Sequence, residues 1–422
     1  MSDQIKPVRG MPAILPGEIE KWQYVEVVAR SILNAYAYNE IRTPVVERTE
    51  LFQRTIGENT DIVAKEMYTF FDRNDQSLTL RPEATAGIIR SGIDQGFFYN
   101  QTQKLWSIGP MYRYERPQKG RYRQFHQINM EAFGFQGPDI DFEIILLTKR
   151  IWKALNLSSL KLELNSLGSP ESRKEYKRQL HDYFNDHKKE LDEDSLNRLD
   201  HNPLRILDSK NSDLQTLIES APKMIDFLDQ ESKEHFEQVR AMLEGHAIEY
   251  NLNTRLVRGL DYYARTVFEW TTDKLGAQAT VCGGGRYERL VEELGGHFTP
   301  AIGCAIGLER LIELVDQSDQ NKQTDPQKIY IVAVGSEAEE QGFLVAEELR
   351  DAYPEFSIQM NLNGGNFKQQ FKRADKAGSD IALILGDNEI KQETVGVKPM
   401  RTEDPQQTVD RKELLSIISQ FL

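Results

Sequence analysis

The run from Leu105 to Gly134, LWSIGPMYRYERPQKGRYRQFHQINMEAFG, most constrains the fold of this chain. Two apolar–polar stretches flank a short basic loop, Arg116 to Arg123, that contains Pro117 and Gly120. Such a loop between extended segments predicts a long antiparallel hairpin. In a strand, residues two apart share a face. Arg113 and Glu115 would then share one face of the first strand, and Gln127, Asn129 and Glu131 one face of the second. A buried core is not built this way, because each unpaired polar group costs about 1–3 kcal/mol. Two readings follow: a solvated hairpin, or a floor for a polar small molecule with a polyanion near the cationic tip. Alternation alone does not choose between them.

Charge adds to the second reading. The 422-residue chain has a net charge of -14, which excludes a surface coated in cations for nonspecific nucleic-acid binding. Yet residues 113–123 hold five positive side chains and one negative. Positive charge concentrated within an acidic chain points to a defined anionic target, the other reading being a solvated loop. No apolar run approaches the roughly 20 residues needed to span a bilayer. The N-terminus lacks the apolar stretch of a signal peptide. Cys282 and Cys304 are too few for a disulfide framework, and no CxxC or HExxH spacing suggests a metal. A soluble cytoplasmic protein with reduced core thiols and two to four domains is expected.

The order of patterns suggests how these domains divide. Over 17–37, Trp22, Val25, Ala29, Ile32 and Tyr36 fall three and four apart, predicting a helix with one apolar stripe. Glu40 to Glu47 reads as extended, and Pro44 places it at an edge or interface. Helix and strand could serve a dimer interface or internal packing equally well. Residues 67–90 read as strand, turn at Arg73–Gln76, strand and helix start. There Glu83 and Thr85 could receive an ammonium group together, or simply form an acidic helix N-terminus. From about 171 to 247 the chain is charged, helical in pattern and short of glycine, like an insertion. Strand-like patterns return from Leu256. A hydrophilic linker covers 316–328, and beyond it alternating strands and helices, with buried strands at 329–334 and 381–385, predict a separate α/β domain.

Three short motifs carry chemistry weakly when taken one at a time. In GCAIGLERLI, 303–312, Gly307 precedes a helix whose first turn holds Arg310, a natural phosphate site. Gly283, Gly284 and Gly285 allow the backbone to approach a flat ligand. Arg258, Tyr262 and Tyr263 could clamp an anion and hydrogen-bond a polar ring, or be core tyrosines beside a surface arginine. No GxxxxGK[ST] phosphate loop is present.

Taken together, the motifs resemble a class II aminoacyl-tRNA synthetase, specifically the histidyl-tRNA synthetase family. RGMPAILP (9–16) resembles its N-terminal signature, and the first helix with TPVVE its dimerisation motif. Residues 105–134 and 301–314 resemble motifs 2 and 3, while RGLDYYARTVFEW (258–270) and CGGGRYERLVEELGG (282–296) resemble its histidine-specific blocks. The class I sequences HIGH and KMSKS are absent. The resemblance spans nearly the whole chain. It implies an α/β fold of α+β type: a class II antiparallel-sheet catalytic domain over 1–325, with the helical insertion at about 171–247, and a C-terminal α/β anticodon-binding domain over 326–422.

The resemblance also implies ATP-dependent activation of L-histidine to the adenylate, transfer to the 3′ end of tRNA(His), a homodimer, and Mg²⁺ arriving with ATP rather than held by a metal-ligand cluster. Arg113 and Arg258 would be the catalytic arginines. Glu83, Thr85 and Gln127 would receive the α-amino group, and Glu131 and Tyr263, with Tyr262 beside them, the imidazole. Arg113 would hold the α-phosphate and Arg258 would lie near both it and the histidine carboxylate, so that both also border the histidine. Glu115, Arg121, Phe125 and Arg310 would join Arg113 around ATP. Arg116, Gln118 and Arg123 would meet the tRNA acceptor end. Lys368, Lys372 and Lys376, four apart and joined by Arg373, would form a ridge for the anticodon stem, or a solvated helix face. The chain departs from the family pattern at Ala84 and Arg289, where glycine is common, and at Pro12-Ala13, where Asn-Asp is common. A rival reading is a non-catalytic histidine-binding paralogue that regulates histidine biosynthesis.

Overall fold

The computed structural model describes residues 5–57, 60–209, 211–276, 279–315 and 327–421. The chain forms two compact units, Met1–Asn321 and Lys322–Leu422. The hydrophilic stretch expected to link them falls largely on 316–326, outside the described residues.

An eight-stranded sheet organises the first unit. Its strands are β1 (Asn39–Glu40), β2 (Gln103–Tyr112), β3 (Gln124–Phe133), β4 (Lys161–Ser166), β5 (Asn251–Leu252), β6 (Ala264–Thr271), β7 (Thr280–Tyr287) and β8 (Ala301–Gly307). They lie in the order β1-β2-β3-β8-β7-β6-β4-β5, antiparallel except for the two edge pairs. The hairpin is β2 against β3, in unbroken register from Gln103↔Phe133 to Tyr112↔Gln124. Ile128, Met130 and Ala132 alternate with its polar row and face the main core. Helices α1 (Ile19–Ala35) and α3 (Asp139–Ala154) cover that face. α1 buries Trp22, Val25 and Ala29 of the expected stripe, with Leu33.

Several expectations need correction. The segment from Glu40 to Glu47 is not one strand: Glu40 pairs with Trp106, while Val46–Arg48 joins a separate three-stranded sheet with Ser77–Leu80 and Tyr68–Phe71. Pro44 falls in the break between them, where its missing N–H costs no ladder bond. Arg113 and Glu115 do not alternate along a strand. β2 ends at Tyr112, and the Glu115 N–H turns back to the Arg113 carbonyl at 2.8 Å. The strand-like pattern read from Leu256 is loop until Ala264, so Arg258 stands on a loop. Finally, the helical insertion has its own core, with Tyr176, Leu180, Phe184 and Ile206. Its last helix, Gln230–Gly245, instead buries Phe236, Val239 and Leu243 in the main core.

Beneath the sheet, Arg286 of β7 is buried against Asp141 of α3, and His235 and Thr266 hydrogen-bond the same carboxylate. Burial of such a cation is tolerated because Arg286 also donates to the Phe135 and Gly137 carbonyls.

The second unit has a five-stranded sheet built on the expected apolar strands Lys328–Ala333 and Ile381–Leu385. Its helix Phe367–Lys376 opens with a capping box between Asn366 and Gln369. Lys368, Lys372 and Lys376 are exposed along it. Arg373 does not join that ridge. It turns to Asn361 Oδ1 at 2.9 Å and the Gly364 carbonyl at 2.7 Å. No helix among the described residues is long and apolar enough to cross a membrane.

Candidate active site

A cavity of about 280 Å³ opens on the polar face of the large sheet. Its floor follows from register. Glu131 lies beside Gly303, which pairs with Gly285; Asn129 lies beside Ala305, which pairs with Gly283; Gln127 lies beside Gly307. Strands β7 and β8 thus offer glycine or alanine at these positions, and neighbouring side chains fold over them. A Cβ at Gly303 would collide with the Glu131 carboxyl, and one at Gly283 would lie 2.6–2.8 Å from the Arg258 guanidinium. This is the physical reason for the glycine run.

All twelve residues expected around histidine and ATP line this one cavity: Glu83, Thr85, Arg113, Glu115, Arg121, Phe125, Gln127, Glu131, Arg258, Tyr262, Tyr263 and Arg310. At its deep end Glu131 is 2% exposed. Thr85 Oγ1 donates to one of its oxygens and Tyr287 Oη to the other, both at 2.7 Å. Burial outweighs these two bonds and pushes the Glu131 carboxyl up to about 8. Burial likewise raises Tyr263, to about 12, and Tyr262 further above its usual range. At neutral pH this end of the cavity is lined by uncharged O–H groups.

Glu83 caps a helix and also faces the cavity. Its oxygens take the N–H groups of Thr85 and Ala86 at 2.6 and 2.9 Å, capping helix α2 (Thr85–Asp94), while it lines the cavity. The Thr85 hydroxyl donates to Glu131, so toward an ammonium it can offer only an acceptor lone pair. Ala84 has φ -101°, a conformation that needs no glycine, so this departure costs the backbone nothing. Arg289 is exposed and paired with Glu292.

The other end is cationic. Arg113 Nε is anchored on the Pro82 carbonyl at 3.0 Å, and its guanidinium lies 5.3 Å from the Phe125 ring. Arg258 is paired with Glu269, whose second oxygen accepts from Thr280 Oγ1 at 2.8 Å. Arg310, in the first turn of α4 (Leu308–Val315), donates to the Gly120 carbonyl at 2.9 Å and the Thr280 carbonyl at 2.6 Å. Burial, then Arg121 and Arg113 nearby, lower its pKa.

The three tip residues are placed differently. Arg116 and Gln118 are exposed. Arg123 lies 3.8 Å over the Tyr114 ring and donates to the Glu115 carbonyl, so it braces the loop. No cluster of three or more His, Cys, Asp or Glu stands in metal-binding array among the described residues. The sequence reading set Asn129 on the polar floor without a ligand role, and gave no site role to Tyr287, Glu269 or Glu309. Tyr287 carried a usable signal: it is two residues beyond Gly285 and so shares its face. Glu269 carried none, because its partner Arg258 sits on a loop.

Residues 10–311 match the family model for histidyl-tRNA synthetase, and residues 328–421 match an anticodon binding domain. The crystal structure of apo histidyl-tRNA synthetase from S. aureus is 35% identical, with a TM-score of 0.82, covering 98% of this chain and 99% of that one. Two structures at 20% identity share the fold. One is histidyl-tRNA synthetase from Nostoc sp., with TM-score 0.68, covering 99% of this chain and 100% of that one. The other is an ATP phosphoribosyltransferase regulatory subunit/histidyl-tRNA synthetase from Bacillus halodurans, with TM-score 0.66, covering 92% and 99%. The chain belongs to the histidyl-tRNA synthetase family, a family of aminoacyl-tRNA ligases.

Proposed function

We propose that this chain is an active histidine–tRNA ligase, with adenylation in the cavity of the first unit and anticodon recognition in the second. The observation that carries the reading is the meeting of a hydroxyl-lined end and a cationic end in one cavity. Histidine enters with its imidazole against Glu131 and the tyrosines, and its ammonium toward Glu83, Gln127 and Thr85. The Gln127 Oε1 atom supports this, being a buried acceptor without a hydrogen-bond partner. ATP arrives as its Mg²⁺ chelate, the adenine against Phe125 and the far phosphates toward Arg121 and Arg310. Glu115, whose carboxylate is paired with Arg121, borders the ATP from the wall.

One histidine carboxylate oxygen attacks the α-phosphorus and pyrophosphate leaves. Arg113 and Arg258 hold the charge that gathers on the phosphate, and their fixed anchors mean little reorganisation in the transition state. A terminal ribose hydroxyl of tRNA(His) then attacks the carbonyl of the adenylate and AMP leaves. Arg116 and Gln118, exposed on the loop, meet the acceptor end, and Lys368 and Lys372 the anticodon stem. The exposed Val46, Phe70 and Phe71 of the three-stranded sheet support a homodimer. The reading places this ligase in the cytoplasm.

The test is histidine-dependent exchange of labelled pyrophosphate into ATP without tRNA, run with all twenty amino acids. Exchange with histidine alone is expected. Histidine binding without exchange would favour the regulatory paralogue instead.

A further inference from the structure

The middle row of the cavity floor runs Glu269, Gly283, Ala305, Asn129 and Ser107 across strands β6, β7, β8, β3 and β2. Adjacent strands lie about 4.8 Å apart, so Asn129 and Gly283 stand roughly 10 Å from each other. Only the methyl of Ala305 stands on the floor between them. The guanidinium of Arg258 occupies the space over Gly283. The trough over Ala305 therefore has a guanidinium on one bank and a carboxamide on the other.

Both banks hold donors without a hydrogen-bond partner. Asn129 is 2% exposed and its Nδ2 is a buried atom with no partner. Arg258 Nε is in the same condition. Ser107, opposite Asn129 on β2, makes no bond to it. Buried donors are rarely left unpaired, because each forfeits its bond to water. Two of them lining one trough call for an acceptor, and the nearby cation favours an anionic one.

We propose that Asn129 is a substrate-contacting residue whose side-chain amide donates a hydrogen bond to the histidine carboxylate, from the bank opposite Arg258. This rests on the reading that the cavity takes histidine. Asn129 stands between Glu131 and Gln127 on one face of β3. A histidine with its ring at Glu131 and its ammonium at Gln127 and Glu83 has its carboxylate left over the middle row. A neutral amide suits this place. It orients the nucleophilic oxygen while adding no further cation that would hold the carboxylate in its ground state.

The test is calorimetric titration of wild type, Asn129→Ala and Asn129→Asp with L-histidine and with histamine, which keeps ring and amine but lacks the carboxylate. One hydrogen bond to a charged group predicts that Asn129→Ala weakens histidine binding about tenfold while histamine changes less than about twofold. Asn129→Asp is expected to weaken histidine further, by setting a second negative charge beside the carboxylate, again sparing histamine. Equal losses for the two ligands, or no loss for either, would overturn the assignment, and the alanine variant alone decides this if the aspartate variant does not fold. A wild-type protein that binds histamine but not histidine would also overturn it. Wild type that binds neither would instead sink the underlying functional reading.

Discussion

The two ends of the cavity solve opposite problems. Around Glu131 the side chains are neutral O–H groups that satisfy one another: Thr85 and Tyr287 both spend their hydroxyls on a carboxyl that is itself protonated at neutral pH. Around Arg258 and Arg310 the groups are cations held by a carboxylate and by backbone carbonyls. On the proposed reading the first end discriminates, since a ligand that cannot hydrogen-bond there leaves buried groups unpaired. On the same reading the second end accelerates, since charge already in place need not be gathered at the moment of reaction. Substitutions at the two ends should therefore fail in different kinetic constants.

The largest effect is expected at the cationic end. Arg258→Ala should lower the single-turnover rate of adenylate formation by about 10²–10³-fold, the usual cost of one preorganised donor. The KM for ATP should move little, as Arg113, Arg121 and Arg310 remain. Rapid-quench kinetics would reveal this, and a variant that lost only ATP affinity would erase the distinction between the ends. At the other end, Glu131→Ala removes the shared partner of Thr85 and Tyr287. It also removes the group set against the imidazole, and losing one buried hydrogen bond to the ligand, about 1–3 kcal/mol, predicts a rise in the histidine KM of about 10–10²-fold. ATP binding, followed by fluorescence of a nucleotide analogue, should stay close to wild type.

A milder change sharpens the same contrast through pH. Free imidazole titrates near 6.5 and Glu131 at about 8, so between them ring and carboxyl together carry one proton. Histidine should bind best in that window. Below it the ligand must shed a proton; above it the pair must take one up. Glu131→Gln mimics the protonated acid, so the alkaline loss should vanish while the acid loss stays, as calorimetry in buffers of different ionisation enthalpy can measure. The sign for stability runs the same way. A carboxyl raised from 4.5 to about 8 on folding favours the fold fully below 4.5. That contribution is lost as pH rises toward about 8. Thermal unfolding of the free Glu131→Gln protein should lack this alkaline loss.

The hairpin and its polar row were legible because period-two alternation is local: Gln127, Asn129 and Glu131 share a face wherever the strand sits. What lies across from them was not legible. Gly283 and Glu269 meet the Asn129 row only through the register of three further strands, and register is set by the whole sheet. The loop misled in its own way. Arg113 and Glu115 continue the alternation of β2 in sequence, but the chain turns at Glu115, where its N–H finds the Arg113 carbonyl. Helix 230–245 reads like its charged neighbours, and only tertiary packing assigns Phe236 and Val239 to the main core.

The smallest effect concerns the second unit, where recognition would rest on exposed charge. Residues 325–422 hold 11 basic and 17 acidic side chains, so Lys368 and Lys372 are a local exception on an acidic surface. Unlike the cavity arginines they have no buried anchors. Each should contribute through counterion release, about 0.9 in the slope of log affinity against log salt per phosphate neutralised. Lys368→Glu with Lys372→Glu should raise the KM for tRNA several-fold at low salt and reduce that slope by about two, on the same counting. Histidine-dependent pyrophosphate exchange should be unchanged, since the cavity lies wholly within the first unit. An unaltered KM and slope would make the ridge a solvated helix face. Recognition of tRNA would then fall to the hairpin loop, where replacing the exposed Arg116 should lower the slope by about one.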